Sequence, residues 1–420
     1  MNLNNYFLLS LSLREKICGF LIFFQWIIFT NTFPIFYDER GTIRWFHMLS
    51  LSILIFLIND RKKIFTFIGK YNLLFLLHGV GVFFAIISYE GIYDNQWWQG
   101  FVWLVGVVTF ILLIPVFSNP KIRKLWFFVL IYTAITKIFV VTNYVSTGLV
   151  EGDILGSSNN LSNDRNTLAI WFNSASAGLL PIILLNNSKP LSRYVSLLLF
   201  LLFNASIIGM ISRGGLLISL INILLAIFFI FTIYKSKKVN YRVFILSITL
   251  LIVVIFLFIS FLDRYERFYI DFLKLFEFLI GERTDLSGRT QLTKIGLDFL
   301  WREGFFIGHG FNSDYLVTKE YLGKIANFHN YYLNKIVCFG LPVFLAFVFY
   351  FYLVLKELKL QMIIVKYNLD KNYGLCISFA TLSLIICGFY HEIHYIWYFI
   401  CLSAGVEYER AYKHSKSKVR

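Results

Sequence analysis

Long apolar runs alternate with short polar segments along almost the whole chain. Crossing about 30 Å of hydrocarbon takes about 20 helical residues, and most of these runs are close to that length. We therefore predict about twelve transmembrane helices, joined by short segments. The predicted spans cover residues 17–33, 44–59, 71–89, 97–117, 124–146, 166–185, 192–211, 215–234, 241–262, 329–355, 372–389 and 393–409.

Composition supports the same fold class. Of the 420 residues, 58% are hydrophobic and only 15% are charged. A soluble domain needs more polar residues than this to cover its surface. The sequence therefore predicts an all-α, polytopic integral membrane protein, for which the lipid bilayer acts as the solvent.

The formal net charge of +15 allows two explanations, a nucleic-acid partner or loops that fix membrane orientation. If the N-terminus is cytoplasmic, most of the 39 basic residues fall in the inner segments, which hold few acids. This segregation follows the positive-inside rule. We therefore expect cytoplasmic N- and C-termini, a basic cytoplasmic tail and no nucleic-acid partner.

One outer segment, residues 263–328, is too long to be a simple connection. It divides the chain into nine spans over 1–262, a structured periplasmic loop over 263–328, and three spans with the tail over 329–420. The loop has two amphipathic stretches, one starting near Arg264 and one capped by Ser287. Leu292, Ile295 and Phe299 form the apolar stripe of the second stretch. We predict that both helices lie on the outer membrane surface.

Three arginines on the outer face are candidates for binding phosphate. Arg213, in Ser212-Arg213-Gly214-Gly215, lies where the eighth span begins, beside free helix amides and glycines that let a ligand approach. Arg289 begins the second loop helix, and Arg165 begins the sixth span. A guanidinium can bind phosphate through two parallel hydrogen bonds. The alternatives are arginines that snorkel to lipid headgroups or that are simply solvated.

Two histidines are candidates for proton transfer. His329 lies where the long loop re-enters the membrane, and His309 lies in the loop between two glycines. A neutral imidazole at a polar and apolar junction can act as a general base. The alternative for His329 is a histidine that caps a helix end, and His309 competes with it for the catalytic role.

A series of short motifs follows one another between residues 160 and 355. The motifs are Asn166-Thr167-Leu168-Ala169, Ser212-Arg213-Gly214-Gly215, Ser287-Gly288-Arg289, Gly308-His309-Gly310-Phe311, His329-Asn330-Tyr331-Tyr332-Leu333 and Phe339-Gly340-Leu341. Their order and spacing resemble those of the O-antigen ligase and O-antigen polymerase superfamily. The layout of about twelve spans also fits this family.

The resemblance implies a metal-independent, inverting glycosyl transfer on the outer face of the bacterial inner membrane. The implied donor is an undecaprenyl-diphosphate-linked oligosaccharide, and no metal or other cofactor is expected. In the family, arginines that match Arg213 and Arg289 hold the diphosphate, and a histidine that matches His329 assists the acceptor hydroxyl. Arg165 and His309 join them as substrate-binding candidates. Guanidinium groups and helix-end amides can meet the charge that develops on the leaving diphosphate.

The acceptor separates the family's two activities. A polymerase transfers the glycan to a second lipid-linked repeat unit, and a ligase transfers it to the lipid A core. We favour the polymerase because polymerases are the more divergent group and the motifs match loosely. A lipid-linked oligosaccharide flippase is the alternative of another class, although the spans hold little charge apart from Lys137. A chain-length regulator stays open as a further partner.

Overall fold

A computed structural model describes about half of the chain. The described residues are 61–88, 120–147, 165–185, 190–210, 212–233, 289–311, 313–323, 330–366 and 373–389, with a few isolated positions that include Phe328. Every regular element in these ranges is an α-helix. The predicted all-α class is therefore confirmed for the part of the chain that the structure describes.

Five of the described helices follow the predicted spans within a few residues, whereas the helix Arg61–Ile87 begins ten residues before the predicted span 71–89. We number the described helices in chain order: α1 Arg61–Ile87, α2 Pro120–Thr147, α3 Arg165–Leu184, α4 Pro190–Gly209, α5 Arg213–Ile233, α6 Arg289–Glu303, α7 Ser313–Leu322, α8 Tyr331–Phe339, α9 Leu341–Lys366 and α10 Tyr373–Cys387.

Helix α3 lies at the centre of the main bundle. It packs against α2, α4, α5 and α10, and α9 packs against both α1 and α10. A side chain at Gly81 of α1 would collide with Val343, near the start of α9. Further down the same pair, the ring centroids of His78 and Tyr350 are 5.8 Å apart. The two contacts show that α1 and α9 run antiparallel.

The bundle has an apolar exterior and small polar groups inside. On α4, exposed apolar side chains recur at helical spacing at Leu191, Val195, Leu198 and Leu202. Inside the bundle, the Asn204 side-chain amide of α4 donates a hydrogen bond to the Ser176 hydroxyl of α3. Such a distribution is typical of helices packed in lipid, where exposed apolar stripes carry no penalty. The fold is therefore consistent with a membrane protein.

Two described segments, Pro190–Gly209 and Leu341–Lys359, are long and apolar enough to cross a membrane. Buried core helices of soluble proteins also meet this criterion. The count of about twelve spans therefore stays a prediction. Predicted spans 17–33, 44–59, 97–117, 241–262 and 393–409 lie outside the described residues, apart from isolated positions. The three-part domain division also stays a prediction.

The long loop has a hydrophobic core of its own. Helices α6 and α7 pack against each other, and both pack against α8. The core of this unit contains Ile295, Leu300, Val317, Phe328, Leu333 and Val337. Helix α8 also supplies Tyr331, Cys338 and Phe339 to the main bundle. It therefore joins the loop to the membrane bundle.

The structure corrects the predicted span over 329–355. Two helices replace it, α8 and α9, separated at Gly340. Gly340 has φ 74°, a left-handed conformation that side-chain-bearing residues rarely adopt. The chain therefore turns at a position where hydropathy alone suggests a continuous span.

The second loop helix is confirmed. Its apolar stripe, however, packs against protein and not against lipid as predicted. Helix α6 begins at Arg289, two residues after the predicted cap Ser287. Leu292, Ile295 and Phe299 face the core that α6 shares with α7 and α8, not the membrane. The stretch that begins near Arg264 lies outside the described residues.

Candidate functional site

The three candidate arginines occupy equivalent positions, each at the start of a helix. Arg165, Arg213 and Arg289 are the first residues of α3, α5 and α6. Their side chains lie outside the described part of the structure, whereas the helices that carry them are described. The free amides at the N-terminus of a helix attract anions. Each arginine therefore lies at a helix end that favours phosphate binding.

The start of α5 is fixed by a cap and by contact with α3. The buried Ser212 hydroxyl accepts a hydrogen bond from the Gly215 amide at 3.2 Å. The Asn173 side-chain amide of α3 donates to the Gly215 carbonyl at 3.0 Å. A Cβ on Gly215 would lie 2.8 Å from the Ala169 Cβ. Glycine therefore allows the first turn of α5 to lie directly against α3.

These contacts bring two of the arginine positions to the same end of a helix pair. Ala169 lies four residues after Arg165, about one helical turn. Gly215 lies two residues after Arg213 and is adjacent to Ala169. Helices α3 and α5 run parallel, since Asn204 of α4 bonds to Ser176 further along α3 and accepts from α5 at Ser219. The first turns of α3 and α5 therefore lie side by side.

The start of α8 is bound at two points. The Asn330 side chain caps the helix by accepting from the Leu333 amide at 3.1 Å. The Tyr331 amide donates to the carbonyl of Gly388, at the end of α10, at 2.9 Å. Both bonds satisfy amides that a helix start leaves free. The start of α8 is thereby joined to α10, which in turn contacts α3 and α5.

His329 lies outside the described residues, but both of its neighbours in sequence are described. Phe328 is fully buried in the loop core, and Asn330 caps α8. The general-base assignment for His329 therefore stays a prediction.

The end of α8 is bound by the glycine-rich turn of the loop. The Val337 carbonyl accepts from the His309 amide at 2.9 Å, and the Cys338 carbonyl accepts from the Gly310 amide at 3.1 Å. These carbonyls are among those that lack partners at a helix end. A Cβ on Gly308 would collide with the Cys338 carbonyl. The turn therefore acts as a cap supplied from elsewhere in the chain.

The His309 side chain is held inside the loop unit. Its ring packs edge-on against Phe299 at a centroid distance of 4.7 Å. Its Nε2 atom is buried and has no hydrogen-bond partner within the described ranges. His309 contacts the backbone near the end of α8, whereas Asn330 caps its start. Seven residues of helix, about 10 Å, separate Val337 from Asn330.

Arg289 lies toward the opposite end of α8 from His309. Gly296 of α6 is adjacent to Leu333, near the start of α8. Further along α6, Phe299 packs on His309, whose amide bonds to the Val337 carbonyl near the end of α8. Helices α6 and α8 therefore run in the same direction. Arg289, at the start of α6, is thus at the end of the pair that carries Asn330.

Sequence reasoning missed the residues that hold these ends in place. Asn173, Gly388 and Tyr332 act across helices, and the Tyr332 hydroxyl donates to the Ile385 carbonyl at 2.8 Å. Asn173 is the one with a sequence signal, since an amide inside an apolar span often bonds to another helix. Within the described ranges, no three His, Cys, Asp or Glu side chains are grouped so as to hold a metal ion.

Comparison with known protein families gives a match that covers most of the helix starts described above. Residues 197–348 match the family model described as O-Antigen ligase. The match agrees with the resemblance to the O-antigen ligase and polymerase superfamily. A search of curated proteins found no match.

The O-antigen ligase match runs from α4 into α9. It contains Arg213, Arg289, His309 and His329, while Arg165 precedes it. Members of this family act on lipid-linked oligosaccharides in the membrane and include ligases and polymerase-like proteins. Enzymes of this family are of the glycosyl-transfer type.

The close packing of α3 and α5 can be tested at Gly215. Gly215→Ala should destabilise the protein by about 1–3 kcal/mol, because the new Cβ has no room against Ala169. Gly79→Ala is the matched control, since its Cβ meets no atom within 4 Å and alanine favours a helix by about 0.5–1 kcal/mol. Thermal unfolding in detergent measures both variants.

A double-mutant cycle identifies the cause of the Gly215→Ala effect. Ala169→Gly removes the nearest carbon atom, so the two substitutions together should cost less than the sum of each alone. Strict additivity would contradict the proposed contact.

Proposed function

We propose that this chain is a surface-polysaccharide polymerase. It transfers a glycan from undecaprenyl diphosphate to a second lipid-linked repeat unit, on the outer face of the bacterial inner membrane. The observation that carries the proposal is that Arg165, Arg213 and Arg289 each begin a helix, within or next to the O-antigen ligase match. The predicted cytoplasmic termini orient the starts of α3 and α5 outward.

Helix electrostatics supports a diphosphate as the ligand. A cation is normally disfavoured at a helix start, because the helix dipole is positive there. An anion bound between the guanidinium and the helix amides turns both charges into attractions. The lipid diphosphate lies at headgroup depth and carries the needed negative charge. Arg213 and Arg289 are therefore assigned to the diphosphate, and Arg165, beside the first turn of α5, to the same substrate.

The transfer step needs a proton acceptor near the acceptor sugar. In the proposed step, the acceptor hydroxyl oxygen attacks the anomeric carbon of the donor and the bond from that carbon to the diphosphate oxygen breaks. The electron pair of that bond leaves with undecaprenyl diphosphate, and the hydroxyl proton passes to His329. Attack opposite the leaving group inverts the anomeric centre. No metal ion takes part, since the arginines and helix amides stabilise the leaving diphosphate.

The positions along α8 favour His329 over His309 for this role. His329 precedes Asn330, at the end of α8 toward which α6 directs Arg289. His309 bonds through its backbone to the far end of α8 and packs against Phe299. We therefore assign His309 to the loop structure and to indirect positioning of the substrate.

A ligase is the second candidate, and the description of the matching family favours it. The two activities share the donor and the leaving group and differ in the acceptor. The arginine positions are therefore expected to serve either reaction.

Deletion of the gene tests the function, with surface polysaccharide examined on a gel. Loss of the ladder, with a single repeat still attached to the core, supports the polymerase. Loss of all repeats from the core identifies a ligase instead. Accumulation of inward-facing lipid-linked precursor identifies a flippase and overturns the transferase proposal.

Lysine substitutions test the diphosphate contacts. Arg213→Lys and Arg289→Lys keep the charge but lose the bidentate fork, so each should lower transfer by ~10- to 100-fold. The assay is release of undecaprenyl diphosphate at equal membrane abundance. Arg193→Lys is the control, because Arg193 bonds to the Leu185 carbonyl at the junction of α3 and α4. Unchanged activity in both test variants would support snorkelling arginines.

Two substitutions separate proton transfer from orientation at His329. His329→Ala should lower transfer by ~10²- to 10⁴-fold, with donor binding retained. His329→Gln keeps a hydrogen-bonding group but does not accept the proton effectively, so it should remain equally impaired. Recovery by glutamine would mean that the residue only orients the acceptor. Loss of transfer in His309→Ala, with His329→Ala active, would exchange the two roles.

A further inference from the structure

Helix α6 has three distinct faces. One face packs into the loop core, a second is charged and exposed, and a third is apolar and exposed. Because successive residues differ by about 100° around a helix, residues three, four or seven apart lie on the same side. The buried face contains Ile295 and Phe299, the charged face contains Asp298 and Arg302, and the apolar face contains Leu297 and Trp301, with Lys294 two turns before Trp301 on the same side.

The exposed apolar face continues beyond the helix. Trp301 is 90% exposed and Leu297 is 55% exposed. Phe305, Phe306 and Ile307, directly after the helix, are also exposed, and the rings of Phe305 and Phe306 stack at 4.6 Å. We call Leu297, Trp301, Phe305, Phe306 and Ile307 the exposed strip. Large apolar groups gathered in this way usually mark a surface that binds a partner.

The exposed strip meets the start of a candidate membrane span. A Cβ on Gly340 would lie 2.7 Å from the Phe306 carbonyl oxygen, so the strip touches the turn that begins α9. Helix α9 contains the apolar segment Leu341–Lys359. Its exposed side chains include Phe344, Leu345 and Val348, within the first two turns or so. The strip is therefore connected to a surface with the composition of a lipid-facing one.

We propose that the exposed strip inserts into the headgroup and acyl boundary of the outer leaflet. Trp and Phe are residues that amphipathic helices place in this boundary, while charged groups stay in water. The charged face follows this rule: Arg302 is exposed and contacts Tyr321 of α7 at 3.4 Å, away from the strip. The exposed strip thereby anchors the loop unit to the bilayer, in place of the stripe of Leu292, Ile295 and Phe299 that periodicity suggests.

The anchoring surface is independent of the proposed function. It assigns to the bilayer a contact made by side chains other than those proposed to bind the substrate. The other occupants to be distinguished are a second copy of this chain and the segment 263–288, which precedes α6.

Spin labels on the full-length protein in phosphatidylethanolamine and phosphatidylglycerol vesicles test the proposal. Nitroxides are attached at Trp301→Cys and Phe306→Cys, with Asp298→Cys on the charged face as the matched control. Cys18 and Cys401 are replaced by alanine, whereas the buried Cys338, Cys376 and Cys387 are kept. The label-treated parent without the new cysteine serves as the blank.

Collision with oxygen, which concentrates in lipid, is compared with collision with a water-soluble nickel chelate. At positions 301 and 306, the ratio of oxygen to nickel accessibility should exceed the ratio at position 298 by several-fold. High accessibility to both reagents at 301 and 306 would show a strip in water and overturn the proposal. Low accessibility to both would show a strip covered by protein, and would overturn it as well.

Discussion

The short helix α8 depends on partners outside it, most of them distant in sequence, for its terminal backbone hydrogen bonds. It has only nine residues, so a large share of its amides and carbonyls lack partners within the helix. Asn330 and the Gly388 carbonyl satisfy amides at its start, and the amides of His309 and Gly310 satisfy carbonyls at its end. Unpaired backbone groups are costly in apolar surroundings, and these four contacts therefore fix where α8 lies.

The position of α8 determines how the loop meets the bundle. Leu333 and Val337 belong to the loop core, whereas Tyr331 and Phe339 belong to the bundle core. Helix α6 packs on α8 through the loop core, so the orientation of α6 depends on α8. The position of Arg289, at the start of α6, depends on it as well. Breaking either cap of α8 should disturb both cores together. Close approach of the backbones at Gly308 and Gly340 makes this arrangement possible, because a Cβ at either glycine would collide with the other segment.

Local patterns predicted the helices well, and contacts between distant residues account for what was missed. Hydropathy found α2 to α5 within a few residues, and periodicity found the packed stripe of α6 at Leu292, Ile295 and Phe299. Hydropathy did not reveal the break at Gly340, because both sides of the break are apolar. The sequence also did not reveal that the α6 stripe packs against α7 and α8, or that the turn at Gly308 caps the end of α8. Both depend on backbone bonds and packing that no local pattern carries.

The arginine positions could be predicted because a helix start leaves a local signature. The two glycines after Arg213 marked the start of α5, and the structure shows that the Ser212 hydroxyl caps it. The sequence did not reveal that Asn173 and Ala169 hold this start rigidly against α3. Rigidity matters for the proposed chemistry, since dipoles already aligned at the diphosphate need no reorganisation as charge develops. A site that was flexible before binding would lose part of this advantage, because ordering the helix start would then consume binding energy. In the proposed site, the role of the fully buried Asn173 is to hold the backbone at the start of α5 through its bond to the Gly215 carbonyl.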